Sequence, residues 1–476
     1  MTFNPTFIKL NRVPLLLVLI SLVFYLSFAY DLLRTDYLKL ISLYAALFYF
    51  FYKLVQITKH NLKFLTLIAF LFRAVFILAI PNLSQDFYRF IWDGRMILEG
   101  FNPYLFSVES FVLSGNYPVE QTKELYDGMG QLNASHYSNY PPLNQLCFVI
   151  AGFFAGKSII GSVVVMRLLI IAADFGVLFF GKRLLKRLHL PEHMIFWYLL
   201  NPFIIIELTG NLHFEGVMIF FLVWSLYLLH KGKWQYSAVV MALSISIKLI
   251  PLIFLPLLFN WFKSSDVSGN EEGLGQSKLI GTTTKKGIIK LCYYYLVIAV
   301  ITLLLFLPFY SSEFILNYTE TVGLWFKSFE FNASIYYIAR EIGFWIYGYN
   351  QIAFLGKFFA ICTFLYVVYL SLFKKLRTTS DLMTLMLFAL SFYYFTSTTV
   401  HPWYIATLVM LSVFTNFRFP LVWSFTIILS YLSYLNLNSA DKSENLWIIA
   451  LEYAIVYGVL IYELGFNKRP VQLAST

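Results

Sequence analysis

Charge is scarce in this sequence. Of its 476 residues, 13% are Asp, Glu, Lys or Arg, against 59% hydrophobic and 20% aromatic. A water-soluble domain of that balance would expose large apolar patches, so the solvent for most of the chain is lipid. Cysteine is scarcer still. Cys147, Cys292 and Cys362 lie in or beside separate apolar runs without CxxC or Cys/His spacing, which argues against both a disulfide framework and a zinc site. No glycine-rich loop of the kind that cradles nucleotide phosphates is present. Self-similarity at a period of about 20 to 50 residues, the mark of repeat architectures, is also missing.

What the chain has in abundance is long apolar runs. Residues 13–30, 64–80, 159–180, 292–307 and 446–464 approach or reach the roughly 20 residues that a helix needs to cross the hydrocarbon. With shorter runs between them, the expected fold is an all-α membrane protein of about 12–14 transmembrane helices in one polytopic domain, residues 1–476. The first run follows a short basic stretch and resembles a signal sequence, but Ser27-Phe28-Ala29-Tyr30 is a poor cleavage site, so it reads as an uncleaved span. The net charge of +10 raises nucleic acid as a partner. Twenty-two of the 35 Lys and Arg, however, fall in segments that alternating spans place on one side, including 53–63, 182–187 and 374–377. That is the positive-inside pattern, and it calls for membrane lipid and no nucleic acid. Residues 263–289 have the Gly/Ser/Lys composition of a flexible cytoplasmic loop.

Against this background residues 81–142 form a dense polar stretch, which the alternation places outside the cytoplasm as a large first loop carrying interfacial helices. Its start, SQDFYRFIWDGRMILEGFNPY, covers residues 84–104. Ser84 would cap a helix over about 85–99, with Asp86, Arg89 and Asp93 on one face and Trp92 and Arg95 beside it. A carboxylate among guanidinium groups suits a site where an anionic leaving group departs while a hydroxyl loses its proton. The competing reading is that Asp86 favours the helix N-terminus and the arginines pair with Asp93, Glu99 or lipid headgroups. Asn102-Pro103-Tyr104 and Tyr140-Pro141-Pro142 add rigid turns and aromatic rings suited to flanking a sugar.

Further polar motifs interrupt the apolar runs: SNYPPLNQL, GNLHFEG after an Asn201-Pro202 pair, SIKLIPLIFLPLL, FEFNASIYY and HPWY. In this order the motifs resemble those of bacterial membrane mannosyltransferases of the C-type glycosyltransferase superfold, over residues 64–410. The resemblance implies a multi-pass enzyme of the bacterial inner (plasma) membrane that moves a hexose, expected to be mannose, from a polyprenyl-phosphate sugar donor to an envelope glycan or glycolipid acceptor. It implies inversion, an active site on the extracytoplasmic face, and Asp86 as general base with Asp93 as the lesser candidate. A lipid carrier would also explain a transferase without a nucleotide-binding domain. Lys248 would meet the donor phosphate or else snorkel. His401 could touch phosphate or sugar, while Trp403 and Tyr404 read as interfacial belt residues. Asn211, His213 and Glu215 line either a pocket or a turn. Asn332 and Tyr336 belong either to the family motif or to an interfacial helix. No cofactor is expected, and one or two acidic residues neither require nor exclude a divalent metal. The alternative is a transporter or lipid flippase, which would show paired halves with similar broken helices; no such symmetry is visible in the sequence.

Overall fold

Where apolar residues run for twenty positions without a breaker, the chain forms one unbroken helix. The computed structural model describes residues 5–264, 285–324, 327–438 and 444–466. Among them it is all-α, with no strand and one isolated parallel bridge between Phe331 and Thr399. Among the described residues six helices are long and apolar enough to span a membrane: Asn11–Tyr30, Tyr37–Thr58, Ile159–Arg187, Lys286–Phe309, Ile352–Phe373 and Leu446–Phe466. The protein is a multi-pass membrane protein.

Of the 12–14 transmembrane helices expected, six reach that length among the described residues, or seven if Glu192–Leu199 and Pro202–Gly210, bent by 52° at the break between them, count as one. Breakers explain the difference. Pro202 lacks the N–H that would continue the preceding helix, and Asn201 caps the new turn by accepting from Phe203 N–H at 3.0 Å. Other expected spans are pieces of 10–17 residues, among them Glu215–His230, Trp234–Ile247 and Ile250–Lys263, and Pro142–Ala155, expected as a re-entrant or interfacial helix, is of the same short class. The chain begins with helices α1 (Pro5–Tyr30), α2 (Tyr37–Thr58) and α3 (Leu62–Ala74). The third stops short of the 64–80 run, and its Arg73 is fully buried with Nε 2.6 Å from Asp174 of Ile159–Arg187. A charge in an apolar run is tolerated when a partner of opposite sign meets it. The linker expected at 263–289 lies, over 265–284, outside the described residues.

The polar stretch 81–142 folds into helix α4 (Asp86–Leu98) and two further helices, Val108–Leu113 and Thr122–Ala134. The first residue before α4 is Gln85, one later than the expected Ser84 cap, and Ser84 Oγ accepts from Asp86 N–H at 3.3 Å. Nearly all of α4 after its first turn is buried. Gly94 makes that possible: a Cβ there would stand 2.3 Å from the Phe148 carbonyl oxygen, so only glycine lets α4 lie against Pro142–Ala155. Packing this close holds Asp86 at the half-buried start of a helix whose remaining turns are fixed.

Candidate active site

Asp86 opens α4, half-buried, with charges around it from three distant segments. Packing withholds water from the carboxyl and pushes its pKa up to about 6; Lys248 and Arg34 counteract this and the like charge of Glu215 adds to it. A carboxylate tuned near neutrality can both take a proton and hold it. Lys248 sits where Trp234–Ile247 ends, in extended backbone with φ −146° and ψ 141°, ahead of the turn begun by Pro251. Its Nζ lies 2.9 Å from Glu215 Oε1 and 5.6 Å from the Tyr140 ring centre. Glu215 is itself the first residue of Glu215–His230. Arg34, in the link between α1 and α2, places its guanidinium 4.1 Å over the Tyr434 ring and donates from Nη1 to the Leu83 carbonyl at 3.2 Å.

Beside these charges stands a stack of four rings. His213 lies 3.7 Å from Trp403 at an interplanar angle of 17°, Trp403 lies 4.6 Å from His401 at 5°, and His401 lies 5.0 Å from Phe331 at 29°. Trp403 is buried between the two imidazoles, so it is a wall of the cluster and not the membrane-belt residue the sequence suggests. Burial, with Lys248 nearby, holds both imidazoles far below the usual histidine range, His401 at about 3. Both rings are therefore neutral near pH 7 and offer hydrogen bonds without charge. A π-helical turn, Ile205–Gly210, followed by Leu212 at φ 63°, presents His213. In that turn Glu207 accepts from the Tyr431 hydroxyl at 2.7 Å, and its other oxygen lies 3.8 Å from His213 Nε2. Single π turns often accompany functional sites.

Thus Asp86, Tyr140, His213, Glu215, Lys248 and His401 gather, while the other expected residues lie around them as frame. Asp93 accepts from Arg89 Nε at 2.7 Å, from Ser138 Oγ at 2.6 Å and from Gln145 Nε2 at 3.0 Å. Arg89 further donates to the carbonyls of Asn133 and His136, both at 2.9 Å. This buried pair clamps the end of the polar stretch onto α4. Arg95 donates to the Glu120 carbonyl and Gln121, and Trp92 is fully buried against Met96. Asn102 donates to the Phe309 carbonyl and accepts from Tyr104 N–H, and the Tyr104 hydroxyl donates to the Tyr140 carbonyl. Asn211 accepts from Leu83 N–H at 3.1 Å, which holds the approach to Asp86.

Asn332, at φ 47°, lies next to Phe331; its N–H meets both Glu444 oxygens at 3.0 Å and its amide donates to Glu452 at 3.2 Å. Tyr336 donates to Glu330. Both residues secure the segment that carries Phe331. Sequence reasoning missed Arg34 and Glu207; of the two only Glu207 carries a signal, a lone charge in an apolar run, which is a costly placement without a purpose. Among the described residues no group of three or more His, Cys, Asp or Glu could hold a metal ion.

Residues 26–263 match the family described as alpha-(1->6)-mannopyranosyltransferase, N-terminal domain. That segment contains Arg34, Asp86, Tyr140, Glu207, His213, Glu215 and Lys248, and it ends before the His401 and Trp403 segment. Over 186 residues the chain is also 22% identical to alpha-(1->6)-mannopyranosyltransferase A of Mycobacterium tuberculosis. The alignment covers 39% of this chain and 34% of that protein, so the chain spans about a third of the length of the relative it matches. With half its length matched, this chain belongs to the alpha-(1->6)-mannopyranosyltransferase N-terminal domain family.

Proposed function

We propose that this protein is a membrane mannosyltransferase that moves mannose from a polyprenyl-phosphate donor to an envelope glycan or glycolipid, with inversion. Its site faces the extracytoplasmic side of a bacterial plasma membrane, the side opposite the clusters of Lys and Arg. The observation that carries the reading is the grouping of one near-neutral carboxyl, Asp86, with the Lys248–Glu215 pair and two neutral imidazoles.

In this mechanism an acceptor hydroxyl gives its proton to Asp86 as its oxygen bonds to the anomeric carbon. The bond from that carbon to the donor phosphate breaks on the opposite side, and the electron pair leaves with the phosphate. Lys248 neutralises the departing charge, and His213 and His401 contribute hydrogen-bonding groups toward phosphate oxygens or sugar hydroxyls. Positive charge developing on the sugar ring is eased by the carboxylate nearby. A single displacement needs one base and no second nucleophile. Glu215, the other carboxylate at the site, is held by Lys248 at 2.9 Å, which suits it to placing the ammonium and not to attacking carbon.

The test is incubation of the purified full-length protein with polyprenyl-phosphate carrying radiolabelled mannose and an extract of envelope lipids. Label appearing in a glycolipid, in a linkage opposite in anomeric configuration to the donor, is the expected result. Accumulation of label inside protein-containing vesicles without covalent change would replace the transferase by the transporter.

A further inference from the structure

A carboxyl stands where a lipid-spanning sequence should exclude one. Glu452 lies inside the span Leu446–Phe466, fully buried, and takes no part in the proposed displacement. An ionisable group is costly at such a position, so what it holds is informative. Its Oε1 takes two hydrogen bonds, from Trp423 Nε1 at 2.9 Å and from Asn332 Nδ2 at 3.2 Å, and both donors are fully buried. The family match covers residues 26–263, so Glu452, Trp423 and Asn332 all lie outside it.

Asn332 is held at each end of its backbone. Its N–H meets Glu444, and its carbonyl accepts from the Tyr453 hydroxyl at 2.7 Å. Its φ of 47° is a left-handed conformation that asparagine adopts more readily than most residues. Two residues on, Ser334 Oγ lies 2.6 Å from the Tyr457 hydroxyl. Segment 444–457 thus grips one side of this turn, and the other side runs to the site. Phe331 N–H donates to the Thr398 carbonyl at 3.1 Å, and the Phe331 carbonyl accepts from Val400 N–H at 2.8 Å, one residue before His401. The Phe331 ring stacks on His401 at 5.0 Å and lies 6.0 Å from Tyr434, the ring under Arg34. Hydrogen bonds and ring contacts therefore run without a gap from Glu452 to His401. Lys248, the cation assigned to the donor phosphate, is near enough to His401 to disfavour its charged form, which puts this imidazole on the donor side of the site.

We propose that Glu452 is a positioning residue for donor binding: through Asn332 it fixes Phe331, and with it the plane of His401 beside the donor phosphate. The inference rests on the transferase reading and adds a residue remote from the reacting atoms on which donor affinity depends.

The experiment titrates full-length protein in lipid nanodiscs with polyprenyl-phosphate carrying radiolabelled mannose, without acceptor for the donor Kd and with an extract of envelope lipids for transfer kinetics. Glu452→Leu keeps the span apolar and strands the Asn332 amide. Donor Kd and donor KM should rise about three- to thirtyfold, the range for residues that act through a contact network, with the acceptor KM within about twofold. Glu452→Gln keeps an acceptor oxygen and should bring both back to within about twofold of wild type. Asn332→Gly takes the φ of 47° without strain and removes the amide. It should weaken donor binding alone, and adding Glu452→Leu should then cost little more, because the two residues act as a unit. Trp423→Phe removes the other donor and should leave the donor Kd within about twofold. An unmoved donor Kd in Glu452→Leu, or a Glu452→Leu effect that persists in the Asn332→Gly background or is copied by Trp423→Phe, overturns the positioning role. Wild-type donor affinity in Asn332→Gly overturns it too, whether or not Glu452→Leu folds. Either result beside normal wild-type transfer leaves the transferase reading standing. Donor binding lost in Glu452→Leu and regained in Glu452→Gln, in a wild type that binds donor and transfers nothing, supports the role and overturns the transferase reading.

Discussion

Replacing Lys248 by Met should move the pH dependence of the reaction in a direction set by the geometry. In the proposed mechanism Asp86 acts as its carboxylate, so transfer should rise with pH through about 6 and level above it. Lys248 is one of two cations that lower this pKa, and Glu215 is a like charge that raises it. Removing the ammonium takes away attraction and also releases Glu215 from its 2.9 Å partner, so both changes push Asp86 upward. A nearby opposite charge is worth about one to three pKa units, and Lys248 is 21% exposed and shared with Glu215, which favours the lower end. One unit corresponds to about 1.4 kcal/mol and carries the acid limb to about pH 7. Glu215→Gln should move the limb the other way, below 6, and the double variant should fall between the two single ones. The double variant also avoids stranding a buried unpaired carboxylate, which on its own costs about 3–5 kcal/mol. The assay is kcat/KM for the acceptor from pH 5 to 9 at saturating donor. An acid limb that stays at 6 or falls in Lys248→Met would refute the reasoning.

Two further outcomes concern the frame around the site. Asp93→Ala strands the buried Arg89 guanidinium and should destabilise the protein by about 3–5 kcal/mol, seen as earlier thermal aggregation in detergent, while folded molecules keep the wild-type acid limb. Gly94→Ala drives a methyl against the Phe148 carbonyl and should cost about 1–3 kcal/mol or more in the same assay, with Phe148→Ala giving no rescue because the obstacle is backbone.

The class of this protein and its family could be read from residues alone, because long apolar runs and the ordered polar motifs do not depend on how distant segments meet. The lengths of the individual helices could not. A hydropathy run does not register that Asn201-Pro202 splits one segment into two, nor that Arg73 in another is neutralised by Asp174. The site was half legible. Asp86, His213, Glu215, Lys248 and His401 stand out as polar residues beside apolar runs, and the fold brings them together. The spacing of Arg89 and Asp93 fits two opposed roles equally, a substrate-binding face or an internal clamp, and only the positions of Ser138, Gln145 and His136 distinguish them. Arg34 was invisible for another reason: its importance comes from Tyr434, four hundred residues away in sequence, which holds it beside the start of α4.

The most direct test of the mechanism is transfer of radiolabelled mannose by Asp86→Asn, with donor and acceptor both saturating. Asparagine keeps the shape and cannot accept the proton, so the rate should fall by about two to four orders of magnitude, the usual worth of a general base, with the protein still folded and still binding donor. Transfer within a few fold of wild type in a monodisperse Asp86→Asn preparation would contradict the role of that carboxyl.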